Sequence, residues 1–436
     1  ERRYNPQSRT ILSVISLVSY VLTKVAVTVY AGGLVFQQVF GIKELWGIDF
    51  FWIAAIGLVV LTALYTIFGG MKSVLYTSVL QTPILLLGSL IILVLGFKEL
   101  GGWDEMMRVC GAVTVNDYGD TMTNLIRSND DANFPWLGAL IGSAIIGFWY
   151  WCTDQFIVQR VLSGKNEKEA RRGTIFGAYL KLLPVFLFLI PGMIAFALHQ
   201  KYIGAGGEGF LPMLANGTAN ADAAFPTLVA KLLPAGVKGL VVCGILAALM
   251  SSLASLFNSS AMLFTIDFYK RFRPETPEKK LVGIGQIATV VIVILGILWI
   301  PIMRSVGDVL YTYLQDVQSV LAPGIAAAFL LGICWKRTSA QGGMWGLIAG
   351  MIIGLTRLGA KVYYSNAGEV ADSTFKYLFY DMNWLFFCGW MFLFCIIVVI
   401  VVSLATEAPT AEKIQGLVFG TATKEQKAAT RASWDH

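Results

Sequence analysis

The sequence predicts an all-α polytopic membrane protein. Of 436 residues, 56% are hydrophobic and 14% charged, with a mean hydropathy of +0.68. An ordinary soluble domain carries about 25% charged residues. A water-soluble fold of this size would leave much of that apolar side chain on its surface. The apolar residues also come in long runs, each near the roughly 20 residues that cross about 30 Å of hydrocarbon as a helix. A transmembrane β-barrel would alternate apolar and polar residues and average lower. Soluble enzymes, nucleic-acid binders and disordered chains are excluded on the same grounds.

Ten stretches qualify as spans: about 10–40, 49–69, 74–97, 135–158, 173–199, 239–265, 281–303, 306–333, 341–360 and 384–404. The first is long enough to require tilt or an overhang. Two polar loops, 98–134 and 200–223, lie between spans. The segment 224–238 is amphipathic and proline-broken, which places it at the membrane interface. The pairs Gly32-Gly33, Gly69-Gly70 and Gly342-Gly343 read as turns or close packing. The six cysteines show neither a CxxC pair nor metal-ligand spacing. The chain starts at Glu1 and shows no signal peptide, so it reads as a piece of a longer one.

Basic residues fix the orientation. Loops on one side carry twenty Lys and Arg, among them Arg2, Lys165, Arg172, Lys270 and Lys336, and loops on the other carry ten. The richer side is cytoplasmic, which puts both ends of the chain inside a plasma or inner membrane. Lys24, Lys181 and Arg357 remain within spans.

Charges inside spans are costly and mark function or structural pairing. Lys181 lies about eight residues past Arg172, roughly 12 Å deep. It reads as a functional cation or a snorkelling one. Lys24 is deeper and reads equally as half of an ion pair. Span four carries FWYWCTDQFIVQR, Phe148 to Arg160. Its aromatics suit an interfacial belt, but Thr153, Asp154 and Gln155 follow directly. Aromatic faces with amides and a carboxylate could hold a polyol. Span six carries LAALMSSLASLFNSS, where small residues suit helix packing and Ser251 and Ser252 suit a hard cation facing an unwound helix. Span eight places Gln315, Asp316 and Gln318 before Pro323-Gly324, a break or hinge.

These residues resemble the sodium/glucose cotransporters of the solute:sodium symporter family. WYWCTDQFIVQR looks like the family's sixth core helix, and YLKLLPVF, AALMSSLASLFNSSAMLFTIDFYK, LAPGIAAAFLLGICWKR and LYTIFGGMKSVLYT match in the family's order across essentially the whole chain. The resemblance implies an inverted-repeat, LeuT-like fold of five plus five helices. This chain would start at the third core helix and lack the first two. On that reading the chain is one transporter domain. Residues 1–97 are the rest of the first repeat, 135–333 the second, and 341–436 peripheral helices and a cytoplasmic tail.

The resemblance further implies alternating access, with inward sodium flow driving uptake of a neutral monosaccharide. Tyr150 resembles the aromatic that stacks on the sugar, with Trp151 beside it. Lys181 and Gln315 resemble polar residues that bond sugar hydroxyls, and Gln318 and Asp154 join the candidate set. Ala248 (by its carbonyl), Ser251 and Ser252 resemble one half of a conserved sodium site. The other half would come from the first core helix, so the chain alone is not expected to transport. Asp154 and Asp316 read equally as structural partners of Lys24, Arg160 or an absent helix.

Three positions depart from the family pattern. Gly147 stands where relatives place Asn or Thr facing the sugar, Ser78 where they carry Asp, and Ala254 where two-sodium members have Thr. One sodium per sugar is therefore expected. No cofactor beyond the coupling ion and no nucleic-acid partner is implied. The same fold could serve a sugar-gated sensor or sodium leak, or a symporter of another solute such as an inositol. Nothing resembles a nucleophile–base pair, a metal cluster or a phosphate loop, so an enzyme is not expected.

Overall fold

Helix dominates because an apolar medium offers backbone amides no partner outside their own segment. The computed structural model describes residues 1–214, 217–306, 309–367 and 371–434, without the side chains of residues 65, 67–78, 80 and 304–306. Ser78 lies outside the described side chains.

Among the described residues, eight helices are long and apolar enough to cross a bilayer. They are Pro6–Phe40, Gln81–Leu100, Glu167–Gly204, Ala235–Phe272, Glu278–Met303, Leu310–Cys334, Ala340–Asn366 and Trp384–Ala405. A ninth forms if Trp136–Cys152 and Gln155–Leu162 are taken together across a 47° bend. The expected stretch 49–69 forms the first part of a longer helix, Phe50–Leu100.

Helix boundaries follow local chemistry. Asn5 caps the first helix through Ser8 N at 2.7 Å, and Gly41 ends it at φ 66°. Within it, Tyr20–Val25 winds as a π-helical turn that carries Lys24, which is buried. A two-residue hairpin pairs Glu44–Leu45 with Ile48–Asp49 through Trp46 and Gly47, both at positive φ. This is the geometry that matches strand twist in tight hairpins. Asp49 then accepts from Phe51 N at 2.9 Å and opens the next helix.

That helix continues unbroken from Phe50 to Leu100. The reading of Gly69-Gly70 as a turn is therefore corrected. GGMKS removes no backbone donor, and glycine in a helix costs only about 1 kcal/mol against alanine. The rod would be roughly 75 Å long, more than twice the hydrocarbon thickness, so it holds two apolar runs rather than one span.

The chain forms two compact units. The first comprises Glu1–Thr23, Asn129–Phe176 and Ser259–His436. Its core joins Ile15, Ile145, Ile146, Trp149, Ala322, Ile325, Leu347, Leu385 and Cys388. Helix Leu310–Cys334 sits deepest, with every residue from Asp316 to Ala328 buried. The expected break at Pro323-Gly324 does not occur. Gly324 instead lets two helices touch at backbone level: a Cβ there would lie 3.0 Å from Gly350 Cα. The same holds for Gly343, where a Cβ would lie 2.7 Å from the Tyr4 ring. Close packing, not turning, explains that glycine pair.

The second unit comprises Lys24–Ser128 and Gly177–Asn258. Its core joins Ile92, Leu100, Met106, Ile194, Leu198, Phe210, Leu228 and Val241. The segment 224–238 is split at Leu233-Pro234, as the sequence suggested, between helix Ala224–Leu232 and the start of helix Ala235–Met262. Its face Pro226–Val229 is buried in this core rather than laid open. Gly33 packs against Phe51 in the same unit.

Candidate functional site

The aromatic run of the first unit ends at a broken helix. Helix Trp136–Cys152 stops because Thr153 leaves helical geometry at φ −129° and its hydroxyl takes the Trp149 carbonyl at 2.7 Å. The Asp154 amide also reaches back to Trp149, at 3.1 Å, five residues rather than four. Asp154 then caps helix Gln155–Leu162 by accepting from Phe156 N at 3.1 Å. It accepts a second bond, at 3.0 Å, from the Tyr20 hydroxyl. Buried carboxylates need such donors. The expected continuous span 135–158 is thus two helices.

The break gives Asp154 structural work. The Tyr20 phenol is one partner of its carboxylate. Further along, Gln159 donates to Ser259 Oγ at 2.6 Å and ties the second helix to the start of the next segment of the unit.

Tyr150 and Trp151 stand immediately before the break. Their rings meet edge to face at 5.1 Å. Tyr150 is partly buried against the unit's core, and Trp151 is half exposed. An exposed π-face beside a partly buried phenol suits the C–H face of a ring-shaped polyol. Gly147, one turn earlier, opens onto unfilled space: a Cβ there meets no atom within 4 Å.

Helix Leu310–Cys334 packs against this aromatic helix and carries the amides. Gln318 is buried, yet its amide makes no hydrogen bond with the described residues. Gln315 lies one turn earlier and is partly buried. An amide offers two donors and an acceptor, enough for a vicinal diol.

Asp316, between these amides, is not a partner of Lys24 or Arg160. It pairs with Lys361 Nζ at 2.5 Å and faces Arg357 at 3.6 Å. Arg357 is fully buried, donates to the carbonyls of Leu378 (3.3 Å) and Met382 (2.7 Å), and stacks over Phe387 at 4.0 Å. Asp316 Oδ1 and Arg357 Nε accept or donate no hydrogen bond within the described residues. The i, i+4 spacing of Arg357 and Lys361 puts both cations on one helix face, which is the signal the sequence offered.

In the second unit, Lys181 sits where helix Glu167–Leu180 ends. Its amide bonds Gly177 and Ala178, and Pro184 forbids straight continuation. The Lys181 side chain is exposed. Ala248, Ser251 and Ser252 lie on an uninterrupted helix, Ala235–Met262. Ser251 is buried, and its carbonyl accepts from Ser255 Oγ at 3.0 Å. Helix Ala235–Met262 is not itself unwound at these serines, so a cation there would rely on side-chain hydroxyls and on whatever faces them.

Comparison with known proteins gives the family and the fold. Residues 1–350 match the sodium:solute symporter family. The chain is 35% identical to sodium/myo-inositol cotransporter 2 of Homo sapiens over 422 residues, covering 94% of this chain and 62% of that protein. It is 36% identical to the sodium/mannose cotransporter SLC5A10 of Bos taurus, covering 97% and 71%. With sodium/glucose cotransporter 1 of Ovis aries it shares 37%, covering 91% and 61%. The chain thus spans about three fifths to seven tenths of the length of these relatives. Among solved structures, a Na+-coupled sialic acid symporter in a substrate-bound outward-open state matches with a TM-score of 0.66 and 20% identity, over 94% of this chain and 76% of that one. That likeness gives the fold, the inverted-repeat sodium-symporter architecture. The chain is a multi-pass membrane protein that belongs to the sodium:solute symporter family.

Proposed function

We propose that the protein couples inward sodium flow to uptake of a neutral sugar by alternating access. The observation that carries this reading is the Tyr150–Trp151 pair at a helix break, packed against a helix that offers the buried amide of Gln318, which bonds none of the described residues. Tyr150 and Trp151 present the stacking face, and Gln315, Gln318 and Lys181 bond hydroxyls. Asp154 holds the break rather than the sugar, and Gly147 leaves room beside the ring. Ala248, Ser251 and Ser252 contribute oxygens to sodium, which is hard and prefers them. Ala254 supplies no hydroxyl for a second ion, so one sodium accompanies each sugar. Both chain ends lie in the cytoplasm on this reading, which the basic loops support. The two-repeat division at 1–97 and 135–333, with peripheral helices after 341, belongs to the same proposal.

Labelled glucose uptake into vesicles carrying the full-length protein tests it. A sodium gradient should raise uptake well above the level in potassium, and Ser251→Ala should abolish the difference. Uptake indifferent to sodium rejects the mechanism. Sugar-evoked current without accumulated label would instead make the protein a sensor or leak. Myo-inositol is the second reading, favoured by the relatives that carry it in their names. Direct competition between glucose and myo-inositol decides between them.

A further inference from the structure

Away from the aromatic site, the first unit holds an apolar groove of about 550 Å³. Leu17, Val18, Val21 and Leu22 form one wall, Phe264 and Tyr269 the floor at one end, and the face Ile284–Leu295 the other wall. That face runs about 16 Å along its helix, at 1.5 Å per residue. The lining is almost wholly hydrocarbon, with the Tyr269 hydroxyl at one end. A water-filled groove of this composition would be costly.

The same end is cationic. Lys270, Arg271 and Arg273 follow Tyr269 directly, and Lys279 and Lys280 stand one turn before Ile284. Five cations face two carboxylates, Glu275 and Glu278, in this segment. Arg271 is committed, donating to the Pro6 carbonyl at 2.8 Å and to Thr10. Asp267 is committed as well, to Arg9 and to Ser13 at 2.8 Å. Lys270 and Lys280 are exposed and make no ion pair with the described residues.

We propose that this groove is a specific site for an anionic phospholipid. One acyl chain lies between residues 17–22 and 284–295, and the phosphate sits against Lys270 and Lys280. Charge complementarity selects the occupant. A zwitterionic lipid would fill the groove equally well but would bring its own cation to a cationic rim. Two lysines near a membrane surface are enough for about a ten-fold preference for the anion. The site binds lipid whatever solute is carried.

Purified, delipidated protein is titrated with phosphatidylglycerol and separately with phosphatidylcholine, and bound lipid is counted by native mass spectrometry. Phosphatidylglycerol should occupy the first site at about ten-fold lower concentration. The double variant K270Q/K280Q should bring the two lipids to the same level while its melting temperature stays unchanged. Val291→Trp, from a half-exposed wall position, should remove first-site binding of both lipids; Ile287→Trp, more exposed still, repeats the test should the first variant fold poorly. Equal affinity of the wild type for the two lipids overturns the proposal. So does a preference that survives K270Q/K280Q, or occupancy that survives both groove-filling variants.

Discussion

Helix Trp136–Cys152 stops at Thr153, and its continuation leaves at 47°, with no proline or glycine within five residues of the break. Helix Leu310–Cys334 carries Pro323-Gly324 at its centre and stays whole. Both belong to the same unit and pack on one another. The difference teaches where a helix break comes from. A hydroxyl that takes a carbonyl and a carboxylate that caps the next turn can end a helix outright. A proline removes one amide, here the one that would reach Ser319, and packing on every side can hold the helix through it.

The largest test concerns what holds the straight helix. Arg357→Leu removes the buried cation near Asp316 and orphans the carbonyls of Leu378 and Met382. Breaking a buried pair costs about 3–5 kcal/mol, and the lower end applies because Lys361 still holds Asp316. A large fall in thermal stability in detergent is the expected result; an unchanged melting temperature would show that the helix needs no such anchor.

Gly324→Ala comes next. A Cβ would meet Gly350 Cα at 3.0 Å and the Gly346 carbonyl at 3.3 Å, both backbone, so overpacking should cost about 1–3 kcal/mol. If Gly324 were a hinge, alanine would instead favour the straight helix. The sign of the stability change therefore separates contact from hinge.

At the break, Asp154→Ala loses a cap worth about 0.5–2 kcal/mol together with the Tyr20 bond, whereas Asp154→Asn keeps an acceptor and should retain most of it. A matched loss in both variants would mean that charge, not capping, shapes the break. The smallest effect uses the same chemistry outside the membrane. Asp120 accepts from Ser128 N at 2.7 Å and from the Asn116 amide at 2.8 Å, and these bonds, Ser128 first, hold its pKa below the usual carboxylate value. A depressed folded pKa contributes stability above the unfolded value and loses it as pH falls through the folded one. Exchange of the Ser128 amide should therefore quicken only in strong acid, and quickening near neutral pH would refute the carboxylate's role.

The spans were legible because hydropathy needs only local sequence. Family membership was legible because Trp149–Arg160 and the other runs keep their order along the chain. The break at Thr153 was not, since the Thr-Asp pair is held there by Tyr20 as well as by Trp149, and the Tyr20 contact crosses 134 residues. The partners of Asp316 were not legible for the same reason. Its partners lie on a later helix, and Arg357 looked like a stray charge until packing brought it within reach. Pro323-Gly324 misled because local propensity speaks for an isolated helix, and this one is enclosed.

The glycine contact also bears on mechanics. Packed helices usually shear by letting side chains swap rotamers between them. Where Gly324 meets Gly350 no side chain lies between, so there is no compliant layer to slide on. Asp316 and Lys361 rivet the same two helices at a second point. The segments Leu310–Cys334 and Ala340–Asn366 therefore behave as one lever, and whatever displaces Gln315 and Gln318 carries the buried arginine with it.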